Sequence, residues 1–320
     1  MTRHAFFAGF LLLDGLLLAG TVGCASPQGR SRSNTSVSDW SQDGLTGRQI
    51  KTEHFDIIST LTDRAFEDGL PNFLERAFER YESTLPTSEK PLERMQVYLF
   101  ACRPQWELFT QRRYPAGWST YHHIRAGGFT EGSTAVLFFT DRAATLATLA
   151  HEGWHQYVHA VGIRAMPPWL HEGLACYHEA VQCGNAGPVF TPQANGYRIG
   201  HLRDAVQRDR LLSIHELVST DAGEAVRKDN STIVQTYYSQ VWALVTFLRH
   251  GAGARRAAEF EHMMSDLADG KFAARVSAAQ LVASRNGGGS AEAIFAAYFG
   301  CTPEQLEKSY YDHLVRVTGY

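Results

Sequence analysis

Short apolar runs over the first half of the chain predict β-strands. The clearest are Phe55 with residues 57–60, then residues 95–100, Phe129 and residues 135–139. A helical repeat of apolar positions over residues 63–81 separates the first run from the second. This alternation predicts an α+β fold, in which a small mixed β-sheet packs against helices.

The helical repeat continues almost without interruption beyond residue 198. Glycines at 251 and 253 and the stretch 286–289 supply the breaks. The predicted helices are residues 231–250, 255–267, 291–299 and 303–317. We therefore expect an α+β domain over residues 48–198, followed by a mostly helical C-terminal subdomain over residues 199–320.

The amino-terminal residues differ in composition from the rest of the chain. Arg3 precedes an apolar run over residues 6–22, and this run is too short to be a typical membrane span. Residues 26–47 are rich in Ser, Gly, Asn and Gln, a composition that does not bury enough apolar surface to fold. The sequence therefore predicts a signal peptide over residues 1–23 and a flexible tether over residues 24–47.

The strand at residues 135–139 leads into a helix whose first turn Thr140 and Asp141 can cap, and this helix has a polar side. His151 and His155 are four residues apart, so their Cβ atoms are about 5–6 Å apart on one face. Two imidazoles so placed can bind one zinc ion at about 2.0–2.1 Å each. Glu152 points about 100° around the helix, so it can reach a metal-bound water without being a ligand.

A catalytic zinc ion needs a third protein ligand and one open position for water. A glycine and two prolines break the chain after this helix, and a second, antiparallel helix is predicted to begin near Trp169. It would bring Glu172 back towards the histidines, which makes Glu172 the candidate third ligand. His159 is the competing candidate. However, His151, His155 and His159 spread over two turns of one straight helix and cannot all bind one ion.

These residues resemble a known group of enzymes. His-Glu-Gly-Trp-His at positions 151–155, followed by Trp-Leu-His-Glu-Gly at positions 169–173, resembles the gluzincin metallopeptidases with their HExxH motif. Tyr-Ser-Gln-Val-Trp-Ala-Leu at positions 238–244 extends the similarity to small bacterial peptidase-MA-like domains. The resemblance covers roughly residues 50–315. It implies a zincin-like domain that binds Zn²⁺ through two histidines and a downstream glutamate.

The resemblance also implies a reaction and a substrate. A peptide or protein would be hydrolysed by a zinc-activated water, with Glu152 as the general base and Tyr238 as a donor to the oxyanion. Tyr238 also falls on an apolar helical stripe with Val234 and Val241, so a packing role is the alternative. By the same resemblance, residues 135–139 would be the sheet edge along which the substrate lies. An interior strand is equally compatible with the sequence.

The sequence around the second helix does not decide which side chains support the metal ligands. Cys176 stands where the similar small domains more often have an acidic residue. A histidine that binds a metal usually donates its other N–H to a carboxylate. Glu179, two turns after Glu172, can accept such a hydrogen bond. The alternative is that Glu179 is a solvated charge on the helix surface. Cys176 and Cys183, with His178 between them, fit no standard pattern for a second zinc site.

The residues Thr-Val-Gly-Cys at positions 21–24 resemble a bacterial lipoprotein signal. Cys24 would be the lipidated first residue of the mature protein, which implies export and a lipid anchor in a bacterial membrane, facing the periplasm or the cell exterior. Four other cysteines are compatible with zero, one or two disulfides in an oxidising compartment. They are Cys102, Cys176, Cys183 and Cys301.

Composition narrows the functional classes. The chain is 44% hydrophobic, has a net charge of −3, and contains no basic cluster with interleaved aromatics. This excludes nucleic acid as an expected partner. Besides a peptidase, a catalytically inactive zinc-binding lipoprotein that acts as a binding or scaffold module remains open, as does a structural lipoprotein with a chance motif. The sequence does not predict the oligomeric state.

Overall fold

The computed structural model describes residues 35–125, 127–184, 187–220, 231–284 and 289–320. The predicted signal peptide and Cys24 lie outside this range. The described chain divides into two compact units. The first contains the residues up to Tyr81, Glu89–Gly162 and Val181–Thr191, and the second contains Glu82–Ser88, Ile163–Ala180 and Pro192–Tyr320. A mixed sheet in the N-terminal half and helices in the C-terminal half confirm the predicted α+β class.

Six strands of the first unit form one sheet in the order β1-β2-β3-β4-β6-β5. Their bounds are β1 Ser36–Gln42, β2 Leu45–Lys51, β3 Phe55–Ser59, β4 Met95–Phe100, β5 Gly128–Glu131 and β6 Thr134–Phe138. The central strands β3, β4 and β6 are parallel, and the outer strands pair antiparallel. The expectation that residues 135–139 form the sheet edge is wrong, because β6 lies between β4 and β5. A strand in which Ala135 to Phe138 are all buried suits the interior of a sheet covered on both faces.

The first two strands occupy part of the chain predicted to be a tether. β1 pairs with β2 over its whole length, and Asp43 and Gly44 form the two-residue turn between them. Both turn residues have positive φ, 55° and 82°, as a type I′ hairpin turn requires. The tether prediction for residues 24–47 is therefore wrong from Ser36 onwards. A domain boundary at residue 48 would cut β2 and remove β1.

Helices cover both faces of the sheet. On one face lie α2, Leu70–Thr84, and α5, Arg142–Ala160, which contact each other through Phe78 and Tyr157 at 5.6 Å between ring centroids. On the other face lies α3, Arg103–Arg113, whose Trp106 Nε1 donates to the Val136 carbonyl at 3.1 Å. The helix predicted at residues 63–81 is divided near Gly69. The remaining elements of this unit are α1 Arg64–Glu67, α4 Trp118–Tyr121 and the hairpin of β7 Val181–Gly184 and β8 Gly187–Phe190.

The second unit is helical. Its helices are α6 Pro168–His178, α7 Gly196–Gln207, α8 Ile214–Ser219, α9 Ser231–Thr246, α10 Ala254–Ala268, α11 Phe272–Ala283, α12 Ser290–Phe299 and α13 Pro303–Thr318. A π-helical segment, Phe247–Gly251, continues α9. The four helices predicted here from periodicity are confirmed to within a few residues at each end. Within the described ranges, no helix is both long enough and apolar enough to span a membrane.

Helices α6 and α9 of this unit approach each other closely at Gly173. A Cβ atom on Gly173 would lie 2.7 Å from the Val241 carbonyl oxygen and 2.6 Å from Val245 Cγ2. The first of these atoms belongs to the backbone of α9 and cannot rotate away. The absence of a side chain at Gly173 therefore sets the distance between the two helices beside Glu172.

We expect Gly173→Ala to destabilise the protein by about 1–3 kcal/mol, because the added methyl group forces α6 and α9 apart. Gly200→Ala is the matched control, since no described atom lies within 4 Å of a Cβ at that position of α7. The control should stabilise the protein by about 0.4–1 kcal/mol through the unfolded chain. Urea denaturation of both variants measures the difference. Equal stability of Gly173→Ala and the wild type would contradict the close packing.

Candidate metal centre

The helix α5 begins where the sequence predicts it. Asp141 is the N-cap residue, and its Oδ1 accepts a hydrogen bond from the Ala144 backbone at 2.9 Å. The helix then enters the interior of the first unit, and its residues from Leu149 to Val158 are all buried. The polar arc of the helix is thus enclosed together with the apolar arc.

His151 and His155 lie one above the other on α5, and both side chains are buried. Their ring centroids are 5.0 Å apart and the ring planes make an angle of 72°. Residue exposure is 0% for His151 and 3% for His155. Neutral imidazoles are common ligands of zinc, copper, iron and nickel, and two of them on successive turns suit one divalent ion.

Glu152, which lies between the two histidines in sequence, is held by the neighbouring edge strand. The hydroxyl group of Thr130, in β5, lies 2.7 Å from Glu152 Oε2 and 3.2 Å from the Glu152 carbonyl oxygen. Both residues are buried. A buried carboxylate that accepts this hydrogen bond has a defined rotamer. The turn between β5 and β6 is confined to Gly132 and Ser133, so Thr130 lies within the strand β5.

A tyrosine supports α5 at the turn that precedes Glu152. Tyr81, in α2, donates its hydroxyl hydrogen to the Ala150 carbonyl oxygen at 2.7 Å. A Cβ atom on Gly153 would lie 2.6 Å from the Tyr81 hydroxyl oxygen, so a side chain at position 153 would displace Tyr81. Burial, together with the negative charge of Glu152, raises the pKa of Tyr81 well above its usual range. The phenol therefore remains a hydrogen-bond donor at physiological pH.

His159, the competing ligand in the sequence, lies in the last turn of α5. Its Nε2 atom is 3.3 Å from the position that a Cβ on Gly132 would occupy. The imidazole therefore lies beside the turn between β5 and β6. His159 is only half-buried, unlike His151 and His155, which makes it a suitable control for them.

In the second unit, α6 carries the remaining candidates. The helix begins at Pro168, one residue before the predicted start near Trp169, and Glu172 is buried, with an exposure of 1%. Glu179, at the end of the helix, accepts hydrogen bonds from Arg198 at 2.6 and 2.8 Å and from Asn195 at 3.0 Å. The alternative that Glu179 is a solvated charge is therefore wrong.

The partner of Glu179 is a buried cation. Arg198, in α7, is only 1% exposed, and its guanidinium carbon lies 5.3 Å from the centroid of the Tyr238 ring. Burial disfavours the charged guanidinium. Electrostatic interactions with Cys176 and Glu179 and the hydrogen bonds to Glu179 outweigh burial and raise the pKa of Arg198. Arg198 is thus a permanent positive charge inside the second unit.

Tyr238 lies in α9 on the buried side of that helix. Its exposure is 1%, and its ring packs edge-on against Tyr237 with centroids 5.7 Å apart. Val234 and Val241 of the predicted stripe are also buried. The core position is therefore confirmed, and the role of the hydroxyl group as an oxyanion donor stays a prediction.

Cysteine chemistry is limited among the described side chains. Cys102 is exposed and Cys301 is half-buried, and both are free thiols. Two disulfides are therefore excluded in this structure. The side chain of Cys183 is outside the described part of the chain.

The structure thus contains buried histidine, glutamate and cysteine side chains that are able to hold a metal ion. In the first unit these are His151 and His155. In the second unit they are Glu172, Cys176 and Glu179, although Glu179 also neutralises Arg198. Side chains of both kinds are chemically suited to a divalent cation, because imidazole and carboxylate are both ligands of such ions.

Comparison with known proteins gives one family. Residues 145–271 match the family described as "Protein of unknown function (DUF1570)". This span is less than half of the chain, and it contains His151, His155, Glu172, Arg198 and Tyr238. A comparison with curated proteins found no match. The family description carries no activity, so the chemistry of these residues has to be inferred from the site.

We expect His151→Ala and His155→Ala each to lose the bound metal, since each removes one of two imidazoles on a single helix face. His159→Ala should keep it. Elemental analysis of the full-length wild type and the three variants, after dialysis against a weak chelator, gives the metal content per chain. Equal metal content in all four proteins would show that these histidines are not ligands.

Proposed function

We propose that the protein is a zinc-dependent metallopeptidase. One observation carries the proposal: two buried imidazoles on successive turns of α5 flank a buried carboxylate that Thr130 orients. His151 and His155 would supply two ligands. From the sequence pattern we assign Glu172 as the third, because two histidines and a carboxylate form a common ligand set of catalytic zinc.

Zinc bound by these residues would lower the pKa of a bound water to about 7 and polarise the carbonyl of a peptide. Glu152 accepts the water proton on its carboxylate and then passes the proton to the leaving amine. Thr130 keeps this carboxylate in one orientation during both transfers. Tyr238 is our candidate for a donor to the oxyanion of the tetrahedral intermediate.

The sheet edge beside Glu152 suits an extended peptide. β5, and not β6, is the outermost described strand on this side, and it carries Thr130. The outer edge of such a strand offers backbone N–H and C=O groups that can pair with a substrate backbone. We therefore propose that a peptide or protein substrate lies along β5, which brings its backbone close to the general base.

We expect Glu152→Gln to keep its zinc and to lose most of its activity, because glutamine is similar in size but cannot accept the proton. The fall should be about 10²- to 10⁴-fold, the usual contribution of a general base. In Thr130→Val, which removes only the orienting hydroxyl group, the activity should fall less than in Glu152→Gln. Cleavage of an unfolded protein or of a quenched peptide library is measured for the three zinc-loaded proteins, with a chelator control.

Equal chelator-sensitive activity in the wild type and Glu152→Gln would refute the assigned role of Glu152. A wild type that binds zinc but cleaves none of the peptides would instead favour the alternative, an inactive zinc-binding module on the cell surface. A wild type that binds no zinc would rule out both functions.

We also propose that the protein is exported and anchored through Cys24, on the basis of the lipoprotein-like residues at positions 21–24. Since the thioether bond to the lipid needs the Cys24 sulfur, Cys24→Ser should abolish labelling with palmitate. Metabolic labelling of cells that produce the wild type or the variant tests this. Equal labelling would show that the lipid is not attached at this residue.

A further inference from the structure

A buried ion pair connects three helices of the second unit. Arg198 of α7 donates to both carboxylate oxygens of Glu179 at the end of α6, at 2.6 and 2.8 Å. Its Nη1 atom also donates to Gln235 Oε1 of α9 at 3.3 Å. Arg198 and Glu179 are 1% and 3% exposed at their side chains. One guanidinium thus binds polar groups from two other helices.

Asn195 also binds this ion pair. We call the four residues Arg198, Glu179, Asn195 and Gln235 the Arg198 network. Asn195 is the N-cap residue of α7, and its Oδ1 accepts from the Arg198 backbone at 3.2 Å. Its Nδ2 donates to Glu179 Oε2 at 3.0 Å and to the Cys176 carbonyl at 3.2 Å. The end of α6 is therefore fixed by the start of α7.

Both proposed functional residues of the second unit are linked to this network, Glu172 through α6 and Tyr238 through a contact of its ring with Arg198. Glu172 is two helical turns before Glu179 on the same helix, and seven residues bring a side chain back to nearly the same face. The ring of Tyr238 lies beside the Arg198 guanidinium, 5.3 Å from it. A change in the position of Arg198 would therefore act on α6 and on the Tyr238 ring together.

The energetics of a buried ion pair suggest that it does more than stabilise the fold. Removing two charges from water costs about as much as their attraction returns, and apolar replacements of both partners are often neutral or stabilising. Two apolar side chains at positions 179 and 198 would therefore stabilise the core at least as well as the ion pair. The pair differs from such side chains in geometry, because bidentate bonds fix distance and direction.

We propose that Arg198 is a positioning residue of the metallopeptidase site, and this rests on the proposed function. It acts through Glu179 to hold α6, and hence the carboxylate of Glu172, and through its contact with the Tyr238 ring to hold that side chain. Displacements of about 1 Å at such positions can cost about 10²-fold in rate.

The test compares removal of the whole pair with a conservative change. Arg198→Met alone would leave Glu179 buried without its cation and could unfold the protein, so the main variant is the double substitution Arg198→Met/Glu179→Met. Arg198→Lys keeps the charge but not the bidentate geometry. The matched control is Arg275→Met/Asp266→Met, which removes another ion pair of the second unit, between α11 and α10.

Zinc affinity of the full-length protein is measured by competition with a chromogenic chelator, alongside the melting temperature. The double variant should melt at or above the wild-type temperature but bind zinc about 10- to 100-fold more weakly, as when outer-shell residues are lost. With a cleavable peptide, its kcat should fall while KM is unchanged. Arg198→Lys should lie between the double variant and the wild type, and the control should have wild-type zinc affinity.

Wild-type zinc affinity in a folded double variant would overturn the positioning role, whereas a wild type that binds no zinc would overturn the proposed function itself. If the double variant does not fold, the zinc affinity of Arg198→Lys tests the positioning role instead. A folded Arg198→Lys protein with wild-type zinc affinity would also overturn the positioning role. An equal loss of affinity in the control would mean that the effect is general to ion pairs in this unit.

Discussion

A charged side chain cannot be buried without a partner, and this constraint shapes the candidate residues of both units. In the first unit, Glu152 is fully buried and accepts a hydrogen bond from Thr130 of the edge strand. In the second unit, Glu179 is buried against Arg198 and Asn195. Each partner comes from a different element than the carboxylate it binds, so the polar contacts also set how those elements pack.

Glycine provides the space that these contacts require. At Gly153 the missing side chain admits the Tyr81 hydroxyl group to the back of α5. At Gly173 it lets α6 approach the backbone of α9. Both glycines directly follow a candidate functional glutamate, Glu152 or Glu172. In each unit, the backbone next to the glutamate is therefore packed too closely to shift without moving a neighbouring element.

Local signals in the sequence are sufficient to predict many of the helices and the shared face of the two histidines. The Asp141 cap and the helical repeats predicted α5 and the C-terminal helices, because caps and periodicity act within a few residues. The spacing of His151 and His155 predicted their shared face for the same reason. The β1–β2 hairpin was missed, although Asp43-Gly44 is a strong type I′ turn signal, because the polar residues around it indicated a tether.

Long-range pairing could not be read from the sequence. The place of β6 inside the sheet depends on β5 pairing with its outer side, and nothing within residues 135–139 specifies that order. Thr130 and Arg198 bind carboxylates that are 22 and 19 residues away in the chain. No motif links such positions. The sequence offers one signal for Thr130 and Arg198: each is a polar residue next to an apolar residue in its strand or helix. Many residues with a purely structural role have the same signal.

The polar arc of α5 is the strongest argument that these residues have a function. His151, Glu152 and His155 are at most 3% exposed, where apolar side chains would stabilise the helix better. Departures from the rules of stable packing concentrate at functional sites, because only function compensates for them. A bound cation would compensate here, since imidazole lone pairs and carboxylate charge are both stabilised by a metal ion. The burial of these three side chains therefore favours a metal-dependent function over a chance motif on a structural helix.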